Sequence, residues 1–387
     1  MKFVIDNNIP FAGSMFEGQA NVRLVDGHAV TRELVHDADV LLVRSVTQVN
    51  EQLLAGSSVR FVGTSTIGFD HVDVAYLRSR GIAFANAPGS NSNSVAEYLV
   101  AALLVLAVRH GLRLGGLTIG VVGVGNVGSN VVRKARALGM NVLCNDPPLE
   151  RSGASGAFVP LDELMEADII TLHVPLTLSG EDATLHLFDE RRIKRMKPGS
   201  VLVNTSRGRV VETQALKKFL QNGHLRAAVL DVWEGEPSID PEALALAALG
   251  TAHIAGYSSE GKANGAMMIY DAACRHAGLP RLFTLAGRLP PPAVAEIAAD
   301  GIAPGMTLEH ALHQIVSLCY PVERDDAQLR SLLSLPRELS AQHFSKLRAE
   351  YPVRREFPAT LVRVRAGDAA LGECLSGIGF TVGSGLL

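Results

Sequence analysis

The chain has 387 residues, 47% of them hydrophobic, enough for two or three buried cores rather than one. Its formal net charge of −3 gives no electrostatic reason to expect nucleic acid as a partner. Cys144, Cys274, Cys319 and Cys374 are scattered, with neither metal-ligand spacing nor a disulfide framework, so reduced thiols in a cytoplasmic, metal-free protein are expected.

Met1–Asp6 lacks the regions of a signal peptide. Short β-branched runs then alternate with helical patterns. Lys2–Ile5, Val22–Val25, Val40–Val43, Val59–Val62 and Ile82–Ala85 read as strands of a parallel sheet with helices on both faces. Ligands of such sheets bind beyond the carboxyl ends of the strands, where Arg44-Ser45 and Thr64-Ser65-Thr66 stand.

Asn93 and Ser94 precede a long helix, with Ser94 the expected N-cap and Glu97 completing a capping box. Its apolar run, Tyr98 to Val108, is shorter than the roughly 20 residues a membrane span needs and reads as a core helix. Strands are expected at Thr118–Val122, Asn141–Cys144, Asp168–Leu172, Ser200–Val203, Ala227–Leu230 and Thr251–Ala252, a complete dinucleotide-binding set. A helical pattern from Gly261 to Ala277 returns to the first domain. The expected organisation is thus α/β: two Rossmann-like, doubly wound parallel-sheet domains (1–93 with 256–283, and 94–255) and a C-terminal α+β domain, 284–387, beyond the prolines at 290–292. Residues 324–365 hold nine Lys or Arg against five Asp or Glu, a mild excess that reads as a solvated face.

Gly123-Val124-Gly125-Asn126-Val127-Gly128 follows the strand Thr118–Val122 and opens a helix. The first glycine permits the tight turn, the second lets the backbone approach a pyrophosphate, and the third allows close packing. The helix N-terminus offers unpaired N–H groups to the phosphates. The next strand ends at Asp146, eighteen residues past Gly128, where a carboxylate accepts from the ribose hydroxyls and repels a 2′-phosphate. NAD is therefore expected over NADP, although Asp146-Pro147-Pro148 also has the look of a plain turn.

Arg207, Asp231, Glu236 and His253 fall at or just beyond strand ends. A guanidinium fork at Arg207 suits a substrate carboxylate. His253 suits a base for a hydroxyl proton, with Glu236 as the carboxylate that orients it. Each has a bland alternative: a surface turn, an ordinary loop carboxylate, and a satisfied core histidine of the kind expected at His71, His173 or His186. Three such residues in order on adjacent strand ends argue against coincidence.

At these residues the chain resembles the D-isomer-specific 2-hydroxyacid dehydrogenases. The matching segments are Gly123–Gly128, Asn204-Thr-Ser-Arg-Gly208, Leu230-Asp-Val-Trp-Glu-Gly-Glu-Pro237 and His253, within residues 40 to 275. The resemblance implies a catalytic Arg207, Glu236 and His253, and an Asp231 that contacts the nicotinamide carboxamide. Val43-Arg-Ser-Val-Thr47, Cys144-Asn-Asp-Pro-Pro148 and His253-Ile-Ala-Gly-Tyr-Ser-Ser-Glu-Gly-Lys262 are similar to one subfamily, which oxidises 4-phospho-D-erythronate in vitamin B6 synthesis. That likeness implies substrate contacts at Ser45, Thr66 and Tyr257, with Arg44 beside them. It also implies NAD contacts at Asp146, Val174, Thr205, Ser206, Arg207, Asp231 and Gly256, and a homodimer joined by the C-terminal extension. Two rival readings are oxidation of another acid such as 3-phosphoglycerate, and an NAD-sensing corepressor that binds peptide motifs on the same fold. The cluster Arg348, Arg354 and Arg355 is a candidate for reaching a neighbouring subunit's phosphate site, against plain surface exposure.

Overall fold

Runs such as Val40-Leu-Leu-Val43, with no polar residue between apolar ones, form strands covered on both faces. The computed structural model describes residues 1–299, 306–365 and 367–384. The chain divides into two compact units, Met1–Asn91 with Ser258–Pro290, and Ser92–Tyr257 with Pro291–Leu387.

The first unit holds β1 (Lys2–Asp6), β2 (Asn21–Val25), β3 (Val40–Val43), β4 (Phe61–Thr64) and β5 (Ala83–Ala85). They form one parallel sheet in the order β2-β1-β3-β4-β5. The helix Ser259–Ala277 covers one face through Ala266, Ile269 and Tyr270, packed with Phe3 and Phe61. Val4, Leu41, Val62 and Leu77 fill the other face. The strand expected at Val59–Val62 starts and ends two residues later, which puts Thr64 at its carboxyl end.

The second unit holds β6 (Thr118–Val122), β7 (Asn141–Asn145), β8 (Ile169–Leu172), β9 (Ser200–Asn204), β10 (Leu225–Leu230) and β11 (Leu249–Gly250). All pairs are parallel, in the order β11-β10-β9-β8-β6-β7. The connection reverses between β6 and β8, so the crevice for a ligand opens past their carboxyl ends. The last strand lies two residues before its expected place. The ladder ends at Thr251: its N–H still donates to the Leu230 carbonyl, but its own carbonyl accepts from the Trp233 indole.

The apolar run at 98–108 sits in the helix Ser92–His110, which by length and composition alone is long enough to cross a membrane. Its side chains from Ser94 to Ala107 are buried in the core of the second unit. This helix starts before Ser94, so Ser94 is not its N-cap and Glu97 closes no capping box. Glu97 is instead fully buried, accepting from Asn93 Nδ2 and from the Phe357 N–H. Ser94 and Asn93 both donate to Glu356.

The C-terminal segment, expected as a domain apart, falls in the same compact unit as the second sheet. Its helix Leu308–Cys319 packs its apolar face into the core around Ser92–His110. Its strands β12 (Glu296–Ala298), β13 (Leu361–Val364) and β14 (Thr381–Ser384) make a small parallel sheet, with the helix Ala369–Ile378 between the last two. The solvated face expected over 324–365 is corrected in part, because two of its arginines turn inward. Arg330 forks onto Asp326 and the carbonyls of Leu244 and Ala247, while Asp326 accepts the Gly250 N–H of β11. Arg354 is only 6% exposed.

Candidate active site

The glycine loop after β6 is shaped as its spacing requires. Gly123 has φ +85°, a left-handed turn that a side chain resists, and a Cβ there would lie 2.7 Å from the His173 carbonyl. A Cβ at Gly128 would lie 2.0 Å from the Gly123 carbonyl oxygen. Gly125 has open space on its Cα, and it caps the helix Asn126–Ala137 without a side-chain hydrogen bond. The first N–H groups of that helix, at Asn126, Val127 and Gly128, thus lack a side-chain cap at the crevice.

Asp146 follows β7 and reaches back to this loop. Its Oδ2 accepts the Val124 N–H at 2.8 Å, and Oδ1 caps the next helical turn through the Leu149 N–H at 3.0 Å. The plain-turn reading and the cofactor reading therefore describe the same residue, since a carboxylate keeps further acceptor sites. Across the loop, Val174 faces Gly123 beyond β8, and His173 bonds Thr171 and Thr205 through its two ring nitrogens. Burial pulls the His173 imidazole down to about 3, so it stays neutral.

Beyond β9, Asn204 organises the turn. Its Oδ1 accepts from the Ser206 N–H and hydroxyl, and its Nδ2 donates to the Arg207 carbonyl at 2.9 Å. The Ser206 side chain is thus turned inward, while Arg207 has extended backbone and is half-buried. Gly208 must be glycine, because a Cβ would lie 2.0 Å from the Trp233 carbonyl. The loop that carries Arg207 therefore lies directly against the loop that carries Glu236.

Glu236 and His253 form the centre of the site. Glu236 Oε2 meets His253 Nδ1 at 2.8 Å, and Oε1 accepts the Trp233 N–H at 2.7 Å. Burial alone raises this carboxyl; His253, the Trp233 N–H and the Arg348 charge together outweigh burial and hold it below its ordinary value. With Nδ1–H donated to the carboxylate, Nε2 keeps its lone pair, and it has no partner among the described residues. The imidazole is about a third exposed. His253 itself has φ +55°, a strained backbone for a residue with a side chain.

Asp231 explains how that strain is held. It is 2% exposed, and its Oδ1 accepts from Thr251 Oγ1 and the Ile254 N–H, both at 2.7 Å, while Oδ2 accepts the Ala255 N–H at 3.0 Å. Its carbonyl takes the His253 N–H at 2.7 Å. Tyr98 adds a hydrogen bond to Thr251. From the C-terminal segment, Arg354 donates to the carbonyls of Tyr257 (2.9 Å) and Ala255 (3.0 Å) and stacks on Tyr320. This corrects the idea that Arg354 reaches a neighbouring subunit: it is spent on its own chain, beside Gly256.

Sequence reasoning passed over a second acid–base contact, His186 Nε2 to Glu234 Oε1 at 2.7 Å, although Glu234 stands in the Trp233–Pro237 motif. Glu234 also accepts the Thr213 N–H, which fixes the back of the loop. His186 is therefore a loop clamp with a partly exposed ring rather than a core histidine. Arg348 and Arg354 had only charge counting to mark them.

Within the first unit, Arg44 and Ser45 follow β3 and Thr66 follows β4, its paired neighbour. Arg44 donates to the Asn8 carbonyl at 3.0 Å and Ser45 is exposed. Thr66 bonds Thr64 and the Gly68 carbonyl, and Thr64 bonds His71 Nε2 at 2.9 Å.

Residues 105–255 match the model of the D-isomer specific 2-hydroxyacid dehydrogenase NAD binding domain, and residues 288–379 match a domain of unknown function. An erythronate-4-phosphate dehydrogenase of Cronobacter sakazakii is 46% identical over 381 residues, covering 98% of both chains. One of Hahella chejuensis is 42% identical over 385 residues, covering 99% of this chain and all of the other. Among solved structures, a D-lactate dehydrogenase of Aquifex aeolicus complexed with NAD and lactic acid aligns with TM-score 0.60 and 27% identity, over 72% of this chain and 96% of its own. The TT0316 protein of Thermus thermophilus aligns with TM-score 0.62 and 26% identity, over 73% and 99%.

Proposed function

The chain belongs to the D-isomer-specific 2-hydroxyacid dehydrogenases, in the erythronate-4-phosphate dehydrogenase branch, and from that premise we propose its reaction in residue terms. The enzyme oxidises 4-phospho-D-erythronate at C2 to (R)-3-hydroxy-2-oxo-4-phosphooxybutanoate, a step of vitamin B6 biosynthesis. NAD, when bound, supplies the hydride acceptor. The glycine loop from Gly123 to Gly128 would hold its pyrophosphate and Asp146 its ribose; Val174, Thr205, Ser206, Arg207, Asp231 and Gly256 complete the set. Open space at Gly125 and the uncapped helix after it fit that group.

His253 Nε2 takes the C2 hydroxyl proton. Glu236 stabilises the imidazolium that results and keeps the ring in the tautomer that can accept it. Arg207 grips the substrate carboxylate through its fork. The observation that carries this assignment is the 2.8 Å contact between Glu236 Oε2 and His253 Nδ1, with Nε2 left open. Ser45, Thr66, Arg44 and Tyr257 are the further substrate contacts, supported by polar side chains at the carboxyl ends of β3 and β4. Residues 1–93 with 256–283 serve the substrate, 94–255 the cofactor, and 284–387 the contact between two copies in the cytoplasm. Exposed Leu333, Leu335, Leu339 and Val353 on that last segment support a homodimer.

The test is a substrate panel read at the NADH absorbance band, with 4-phospho-D-erythronate, 3-phosphoglycerate and D-lactate at saturating NAD. The expected result is a kcat/KM for the first at least about tenfold above the others. A preference for 3-phosphoglycerate would reassign the substrate, and no turnover on any acid would return the protein to a binding role.

A further inference from the structure

Arg348 lies on the helix Arg337–Ala349, outside the residues matched to the NAD-binding model. Its Nη2 donates to Tyr257 Oη at 3.2 Å, and the guanidinium sits 5.8 Å from the centre of the Tyr257 ring. Tyr257 is in turn held edge-to-face by Tyr351 at 5.7 Å, and its carbonyl by Arg354. The charge of Arg348 is near enough to Glu236 to favour that carboxylate.

The structural arginines of this segment each face a carboxylate and two backbone carbonyls. Arg330 uses its fork on Asp326 and two carbonyls, and Arg354 donates to two carbonyls, lies over a ring face and keeps its Nη1, which has no hydrogen bond, 3.8 Å from the Glu97 carboxylate. Arg348 differs. Among the described residues it has no carboxylate partner, and its Nε is buried with no hydrogen bond. A guanidinium carries five donors, and one is in use here. Such a fork, half-buried beside the acid–base pair, is a site built for an anion.

We propose that Arg348 binds the phosphate of the substrate and so sets specificity for a phosphorylated acid, with Tyr257 holding its fork in place. The proposal rests on the substrate reading above. Arg207 is already committed to the carboxylate at C1, and the phosphate at C4 lies on the other side of the reacting C2. A dianion there needs its own cation, and a planar fork engages two phosphate oxygens at once.

The experiment compares the full-length parent with Arg348→Gln and Arg348→Lys on 4-phospho-D-erythronate and on unphosphorylated D-erythronate, with inorganic phosphate as a competitive inhibitor. In Arg348→Gln, kcat/KM for the phosphorylated acid should fall about 30–100-fold, mainly through KM, as loss of a charged bidentate contact predicts. The value for D-erythronate should fall at least about tenfold less than that, since only the charge beside Glu236 is lost there, and the inhibition constant of phosphate should rise about tenfold or more. Arg348→Lys, which keeps the charge without the fork, should fall between. Equal losses on both acids, or an unchanged phosphate inhibition constant in either variant, overturn the proposal. A parent with no preference for the phosphorylated acid overturns the substrate reading itself, which the parent data alone reveal.

Discussion

Replacing Glu236 by glutamine keeps the shape of the side chain and changes which atoms can accept. In the parent, Oε1 takes the Trp233 N–H at 2.7 Å and Oε2 faces His253 Nδ1 at 2.8 Å. Glutamine has one oxygen, and the Trp233 N–H can only donate, so the oxygen goes there and the NH2 faces Nδ1. A ring that accepts at Nδ1 carries its proton on Nε2, the atom meant to receive the substrate's proton. Flipping the amide restores the useful tautomer but leaves a buried N–H unpaired, at about 1–3 kcal/mol, so roughly one molecule in 5 to 150 is competent. That fraction also lacks the carboxylate charge, a further loss of about 1.5–3 kcal/mol of imidazolium stabilisation. Together they predict a fall in kcat of roughly 10²–10⁴-fold, with NAD binding unchanged. The assay is NADH formation at saturating NAD and acid. Glu236→Ala is the discriminating control, because it removes the charge without imposing the wrong tautomer, so glutamine should be no faster than alanine. A glutamine variant within tenfold of the parent, or clearly faster than alanine, would refute the tautomer argument.

Other consequences are equally open to measurement. Arg354→Met removes two charged-donor hydrogen bonds to buried carbonyls, about 1.5–3 kcal/mol each, and should lower Tm by ~6–12 °C at roughly 2 °C per kcal/mol; a drop under 2 °C would contradict the clamp. Burial pulls His71 from 6.5 down to about 4, a depressed value, so its contribution is present above pH 6.5 and is lost as pH falls through 4. The loss amounts to about 3 kcal/mol, and His71→Gln should flatten the acid limb of a stability–pH curve over that window, whereas an unchanged limb would remove His71 as its source. Asp146→Ala should cut the NAD over NADP ratio of kcat/KM about tenfold or more; an unchanged ratio would leave Asp146 as a turn cap only.

Much of this was legible in the chain because the signals were local. A glycine loop between a strand and a helix, a carboxylate at the next strand end, and alternating β-branched runs each depend on a few neighbouring residues, and β3 and β6 match their expected limits. The misses arose where distant groups decide. The strand before His253 ends early because the Trp233 indole, eighteen residues away, takes the carbonyl of Thr251. Ser94 looked like a cap, yet its hydroxyl donates to Glu356, which stands 262 residues later. His186 and Glu234 pair across 48 residues, and although Glu234 stands in a motif nothing near His186 marks it as the partner.

The C-terminal segment is the largest case, and it bears on catalysis directly. A histidine with φ +55° costs of the order of 1–3 kcal/mol and persists only where its surroundings over-determine it. Here the constraint comes from two charges of opposite sign. The Asp231 carboxylate takes the N–H groups of Ile254 and Ala255, and the Arg354 guanidinium takes the carbonyls of Ala255 and Tyr257. One arrives from the end of β10, the other from a segment about a hundred residues beyond the loop. The loop backbone is thus gripped through donors on one side and acceptors on the other, so the posture of the base depends on the C-terminal segment being folded. A charge count over 324–365 could not find this, because it counts an inward arginine and a solvated one alike, and only burial tells them apart.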